Sequence, residues 1–202
     1  MVLDKSPEKI ITKDMNLIRK EFENNVPSLV VCSDPFNKAE FLIHLINSTD
    51  FPIIFVDLDF LYSGYVKSGM IGKRGNMTIM QPNKGSWSET LTEVISKASK
   101  EKSLIIIDSL NGIYNMFDDL DSVRFVNSSL MLLSSVGKQA DSSVIITAMV
   151  RKKENEEWVL SPGGKQLVKS SQTSMFYAKK VDDQLVLSRL GKNNSEKFLI
   201  AK

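Results

Sequence analysis

Five short apolar, β-branched runs constrain the fold of this chain more than any other feature. They lie at Ser28 to Val31, Pro52 to Val56, Met77 to Met80, Ser103 to Ile107 and Ser143 to Ile146. Each has the length of one strand, and a strand that is apolar at nearly every position must be covered on both faces. Helical patterns lie between them. Phe36 to Ile46 is one, and Ser86 to Lys100 is a second, with Ser86 and Glu89 spaced as a capping box. A third, after Asp121, sets Val123, Val126, Leu130 and Leu133 on one face and is expected to stop near Gly137. Strands alternating with helices predict an α/β three-layer sandwich, a mostly parallel sheet flanked by helices.

After residue 150 the pattern changes. Trp158 to Leu160, Ser174 to Tyr177, Gln184 to Ser188 and Lys197 to Ala201 read as antiparallel strands, separated by SPGGK, KKVDD and GKNNS. Residues 1–27 read as one amphipathic helix, with Met15, Ile18 and Phe22 packed on the edge of a core domain spanning 28–202. At 202 residues, one domain with a sizeable core is expected, and no repeat or low-complexity linker interrupts it.

Composition removes several classes. The single cysteine, Cys32, excludes an intrachain disulfide, and without a Cys/His cluster no metal site is expected. MVLDKSPEKI is not a signal pattern, and no apolar run approaches the roughly 20 residues that span a bilayer, so a cytoplasmic protein without a membrane partner is expected. Net charge is +2, but residues 1–150 carry 15 Lys/Arg against 18 Asp/Glu, whereas residues 151–202 carry 11 against 6. Any basic partner surface therefore lies towards the carboxyl end, although a lysine-rich tail also serves solubility.

In such a sheet, ligands bind at the carboxyl ends of the strands. CSDPFNKA follows the first strand, Asp57 to Asp59 the second, Asp108 and Ser109 the fourth, and Thr147, Ala148 and Met149 the fifth. Three acidic side chains and one lysine are thus expected on one rim.

IFVDLDF, SLIIIDSLNGI, VIITAMV and SPGGKQLVKSSQTSMFYAKK, in this order and spacing, resemble the RecA/RadA recombinase core over residues 28–202. The strand ending in Asp108-Ser109 and the Pro-Gly-Gly of 162–164 before a Ser/Thr-rich strand are the most specific parts. The resemblance implies a RecA-like fold and a phosphate-binding loop G-x-x-x-x-G-K-[ST], whose backbone N–H groups wrap phosphates while Lys reaches the outer ones and the hydroxyl holds Mg²⁺. Laid on that frame, Cys32 and Asn37 stand at glycine positions, Lys38 at the lysine and Ala39 at the hydroxyl. Pro35 removes a backbone donor, and Asp34 sets a negative charge where a triphosphate would lie. Each lost hydrogen bond to a charged group is worth about 1.5–3 kcal/mol, so two or three such losses weaken binding on the order of a thousandfold. A bland reading explains the loop better: Asp34 as N-cap and Pro35 as first helical residue let the helix fill its own anion site. Lys38 is then either a solvated helix residue or a partner of Asp108.

The other positions implied by the family agree. Asp59 stands where the family glutamate activates water, and Met149 where a polar sensor meets the γ-phosphate; Asp108 alone is retained. Asn37, Lys38, Asp59 and Asp108 are therefore expected as vestigial nucleotide-site residues, with no ATP or Mg²⁺ cofactor and no catalytic residue. In the family the segment after Met149 is a loop that touches single-stranded DNA. Here Arg151, Lys152, Lys153, Lys165 and Lys169 are placed to meet phosphates and Trp158 to stack on a base. Glu154, Glu156 and Glu157 offset the first three charges, and Trp158 equally fits a core-packed strand.

Weaker candidates read as structural: His44 in FLIHLI as a packed residue, Cys32 as a small buried one, and Asp118 to Asp121 as a loop before a helix rather than a cation site. No Phe-x-x-Ala segment of the kind that links family filaments occurs in residues 1–27, and the chain is shorter than a recombinase with its amino-terminal DNA-binding domain. The resemblance thus implies a paralogue that does not hydrolyse ATP, a binding or scaffold protein of recombinational DNA repair with single-stranded DNA or a RecA-like protein as partner. Two alternatives stay open: a reduced ATPase completed by a neighbouring subunit, and an Elongator-like subunit that binds RNA.

Overall fold

The computed structural model describes residues 10–11, 15–117, 120–154, 158–161, 173–190 and 197–200. The strands are β1 (Ile10–Ile11), β2 (Ser28–Cys32), β3 (Ile53–Asp57), β4 (Met77–Met80), β5 (Leu104–Asp108), β6 (Ser143–Lys152), β7 (Trp158–Leu160), β8 (Ser174–Val181), β9 (Gln184–Leu190) and β10 (Lys197–Ile200). The helices are α1 (Met15–Asn24), α2 (Pro35–Asn47), α3 (Leu61–Lys67), α4 (Trp87–Ala98), α5 (Leu110–Met116) and α6 (Leu120–Gln139).

The strands form a sheet in the order β1-β10-β9-β8-β2-β6-β5-β3-β4, with β7 paired to the far end of β6. From β8 to β4 every pairing is parallel, whereas β8–β9, β9–β10 and β6–β7 are antiparallel. The two-residue β1 joins the edge in parallel with β10. All five residues of β2, β3 and β5 are buried, as strands covered on both faces must be. On one face Trp87 and Val94 of α4, Ile113 of α5 and Val126 and Leu133 of α6 pack against Val31, Ile105, Ile107 and Val144. On the other, Ile18 and Phe22 of α1, Phe41 and Leu45 of α2 and Tyr62 of α3 pack against Val30, Phe55, Ile106 and Ile145. The result is the expected three-layer α/β sandwich.

Several expectations are corrected. The stretch 1–27 is not one helix: a strand at Ile10–Ile11 precedes α1, and α1 lies over the sheet, its Phe22 ring 5.2 Å from Phe176 and 6.1 Å from Phe41. The capping box at Ser86 does not form, because its hydroxyl accepts from Asn83 N at 3.0 Å and Asn83 Oδ1 accepts from Gly85 N and Ser86 N. Gly137 does not end α6, which runs on to Gln139; a Cβ there would lie 2.7 Å from Val144 Cγ2, so the glycine serves close helix–sheet approach. Strand β6 extends to Lys152, which places Met149 inside it.

Candidate functional site

Helix α2 starts as its sequence dictates. Asp34 is its N-cap in extended conformation, and Asp34 Oδ1 accepts from Phe36 N at 2.8 Å and from Asn37 N at 3.0 Å, with Pro35 in the first turn. The donors that would wrap a phosphate are therefore held by the chain's own carboxylate.

One turn on, α2 buries Lys38. Its side chain is 1% exposed, and its ammonium donates to Asp108 Oδ1 at 2.6 Å and Asp59 Oδ2 at 2.7 Å. Asp108 Oδ1 also accepts from Thr147 Oγ1 at 2.5 Å. Asp108 Oδ2 is buried with no hydrogen-bond partner among the described residues. Burial works against the Lys38 charge, but the Asp108 and Asp59 carboxylates outweigh it and hold the ammonium above the ordinary lysine pKa. Burial likewise pushes the Asp108 carboxyl up, with Lys38 and the Thr147 hydroxyl pulling the other way. Cys32, packed beside this cluster, has its thiol pushed up to about 12 by burial.

The backbone around the cluster is tightly tied. Leu58 N and Asp59 N both donate to Asp108 O, at 2.6 and 3.2 Å. Gly112 in α5 allows this approach: a Cβ there would stand 2.6 Å from Leu58 Cβ and 3.0 Å from Asp59 Oδ1. Ser109 caps α5 by accepting from Gly112 N at 3.3 Å. Asn111 then stitches α5 to the sheet, donating to Met149 O and Ser161 O at 3.0 and 2.8 Å and accepting from Met149 N at 2.8 Å.

Of the residues expected at the rim, Lys38, Asp59 and Asp108 come together, and Lys38 is a buried ion-pair partner rather than a solvated residue. Asp57 does not join them. It turns into the start of α3, where Oδ1 accepts from Phe60 N at 2.8 Å and Oδ2 from Ser63 N at 3.0 Å. Asn37 contributes its backbone N–H to the Asp34 cap. Met149 lies in β6 against the core. Arg151 and Lys152 are exposed at the end of β6, and Lys153 follows, exposed. Trp158 is half-buried: its ring centroid lies 4.8 Å from that of Tyr177, and the Lys152 ammonium stands 5.4 Å from its centroid. Lys165, Lys169, Asp118, Asp119 and the Pro-Gly-Gly of 162–164 lie outside the described residues. His44 is half-buried in the last turn of α2. Thr147 and Asn111 are not singled out as site residues by sequence. The only hints are their places, Thr147 at the end of an apolar run and Asn111 two residues after Ser109.

A Mg-nucleotide does not fit these residues. Ala39 has no hydroxyl for the metal, the first-turn N–H groups are taken, and two of the three Lys38 donors are bound inside the protein.

No family model matches the chain, and no curated protein matches it. Among solved structures it is similar to the ATPase domain of a RecA-like helicase, with a TM-score of 0.57 and 10% identity, over 98% of this chain and 89% of that one. The chain has a RecA-like α/β fold, which is also the fold its motif order resembles. Among the described residues no helix is long and apolar enough to cross a membrane.

Proposed function

We propose that this chain is a RecA-like binding or scaffold protein that does not hydrolyse ATP, acting in recombinational DNA repair with single-stranded DNA and a RecA-like protein as partners. One observation carries the reading. The lysine that would reach the outer phosphates is instead 1% exposed and clamped between Asp59 and Asp108. Freeing it would strand two carboxylates in the interior, and leaving a buried charge unpaired costs about 3–5 kcal/mol, more than most single phosphate contacts return. The exposed Arg151, Lys152 and Lys153 supply the cationic edge that a phosphate backbone requires.

Calorimetric titration with Mg-ATP tests the first half. No heat up to millimolar nucleotide is expected. Micromolar binding that Lys38→Ala abolishes, with the variant's fold checked by circular dichroism, would mean a working nucleotide site and overturn the reading. For the second half, anisotropy with a labelled oligothymidine at two salt concentrations is expected to show binding that weakens in the Arg151→Ala, Lys152→Ala double variant. Preference for folded RNA over that strand would favour the Elongator-like alternative.

A further inference from the structure

We propose that the rim above the Lys38 cluster docks a cationic protein segment, with arginine side chains lying on Phe36 and Phe60 and pairing with the carboxylates of Asp34 and Asp59. The proposal rests on the reading of this rim as closed to nucleotide and names the chemistry of the partner that uses it instead.

Phe36 is 70% exposed in the first turn of α2, and Phe60, which follows Asp59 directly, is 55% exposed. Because Lys38 Nζ lies 2.7 Å from Asp59 Oδ2, the two rings flank a single ion pair. Phe60 has φ 58 and ψ 8, a left-handed backbone that is an outlier for an aromatic residue. The buried Asp57 carboxylate holds it there through the Phe60 N–H. The chain thus keeps an unfavourable backbone to present a ring that gains little burial, and folding alone gives no return for that.

Charge selects the occupant. The positive member of the cluster is inside, whereas Asp59 has 23% of its side chain exposed and Asp34 is half-buried at the rim. Solvent therefore meets carboxylates and aromatic faces, a surface that repels phosphate and attracts cations. Arginine fits both parts, since its planar guanidinium stacks on rings and pairs with carboxylates through a fork of N–H donors, whereas lysine offers a point charge.

The test is fluorescence anisotropy of labelled hexa-arginine and hexalysine peptides titrated with the full chain, alongside Phe36→Ala and Phe60→Asn; asparagine tolerates the left-handed backbone. Hexa-arginine is expected to bind more tightly, weakening about threefold in either variant and about tenfold in both. Phe60→Gly is expected to lose the same affinity while its Tm rises by about 2–4 °C, the mark of a ring kept against stability. No binding, or equal binding of both peptides that ignores the ring variants, overturns the proposal. If Mg-ATP gives no heat in parallel, that failure leaves the scaffold reading standing; micromolar Mg-ATP binding lost in Lys38→Ala would overturn both.

Discussion

Lys38 and Lys152 both belong to the carboxyl side of the sheet, yet one is 1% exposed between two carboxylates while the other is exposed with its ammonium over the Trp158 ring. The first is fixed by folding: its charge was taken out of water, and only the pairing with Asp59 and Asp108 repays that. The second keeps its hydration, and its position is set by an aromatic face and a strand end. The difference separates charge that holds the fold from charge kept at the surface, where a partner can reach it. It also shows why residue type alone misleads here, since the lysine at the nucleotide-motif position is the structural one.

The contrast can be broken most directly by Lys38→Ala. It leaves two facing carboxylates unpaired, and urea denaturation is expected to show a loss of about 3–5 kcal/mol; a loss below about 1 kcal/mol, the scale of a surface pair, would mean the cluster is not fixed by folding. The same comparison sharpens with pH. Folding raises the Lys38 pKa above its ordinary 10.5, so its stabilisation is complete below that value and is lost as pH climbs through the folded one. The gap between the wild-type protein and Lys38→Ala should then narrow only in alkaline solution; a gap that closes instead at neutral pH would contradict the assignment.

Gly112→Ala probes the packing beneath the cluster. With a Cβ 2.6 Å from Leu58 Cβ, overpacking is expected to cost about 1–3 kcal/mol in a denaturation midpoint. Asp34→Ala should cost about 1 kcal/mol through the lost cap, and it frees the Phe36 and Asn37 N–H groups, so sulfate should stabilise the variant more than the wild-type protein in thermal melts. Lys152→Ala lies at the other end of the scale. Its stability change should stay within about 0.5 kcal/mol, while the salt dependence of oligothymidine binding falls by about one unit of slope; a larger stability loss would place Lys152 with Lys38.

The sequence showed the parallel core plainly, because strands such as LIIID carry their burial in every residue. It showed the start of α2 for the same reason that Asp-Pro is informative anywhere: cap and first turn are local chemistry. What it hid was non-local or short. Helices α3 and α5 span seven residues each, too few for periodicity to register, and α3 follows a left-handed Phe60 that no propensity foretells. Gly137 misled because a glycine that ends a helix and one that lets a helix approach Val144 look alike in one dimension. The Lys38–Asp108 pairing was one of two open readings, since burial of a lysine depends on carboxylates placed 21 and 70 residues away.

That cluster also bears on how such a chain can drift under mutation. Lys38, Asp59 and Asp108 form a unit in which removing one member strands the others, although replacing all of them by apolar residues can be nearly neutral. Every single-step route out passes through a poorly folded intermediate, so the three residues are mutually entrenched. A lysine and two aspartates at these places can therefore outlast the chemistry they resemble, and their persistence in a lineage measures the depth of that fitness valley rather than any traffic in nucleotides.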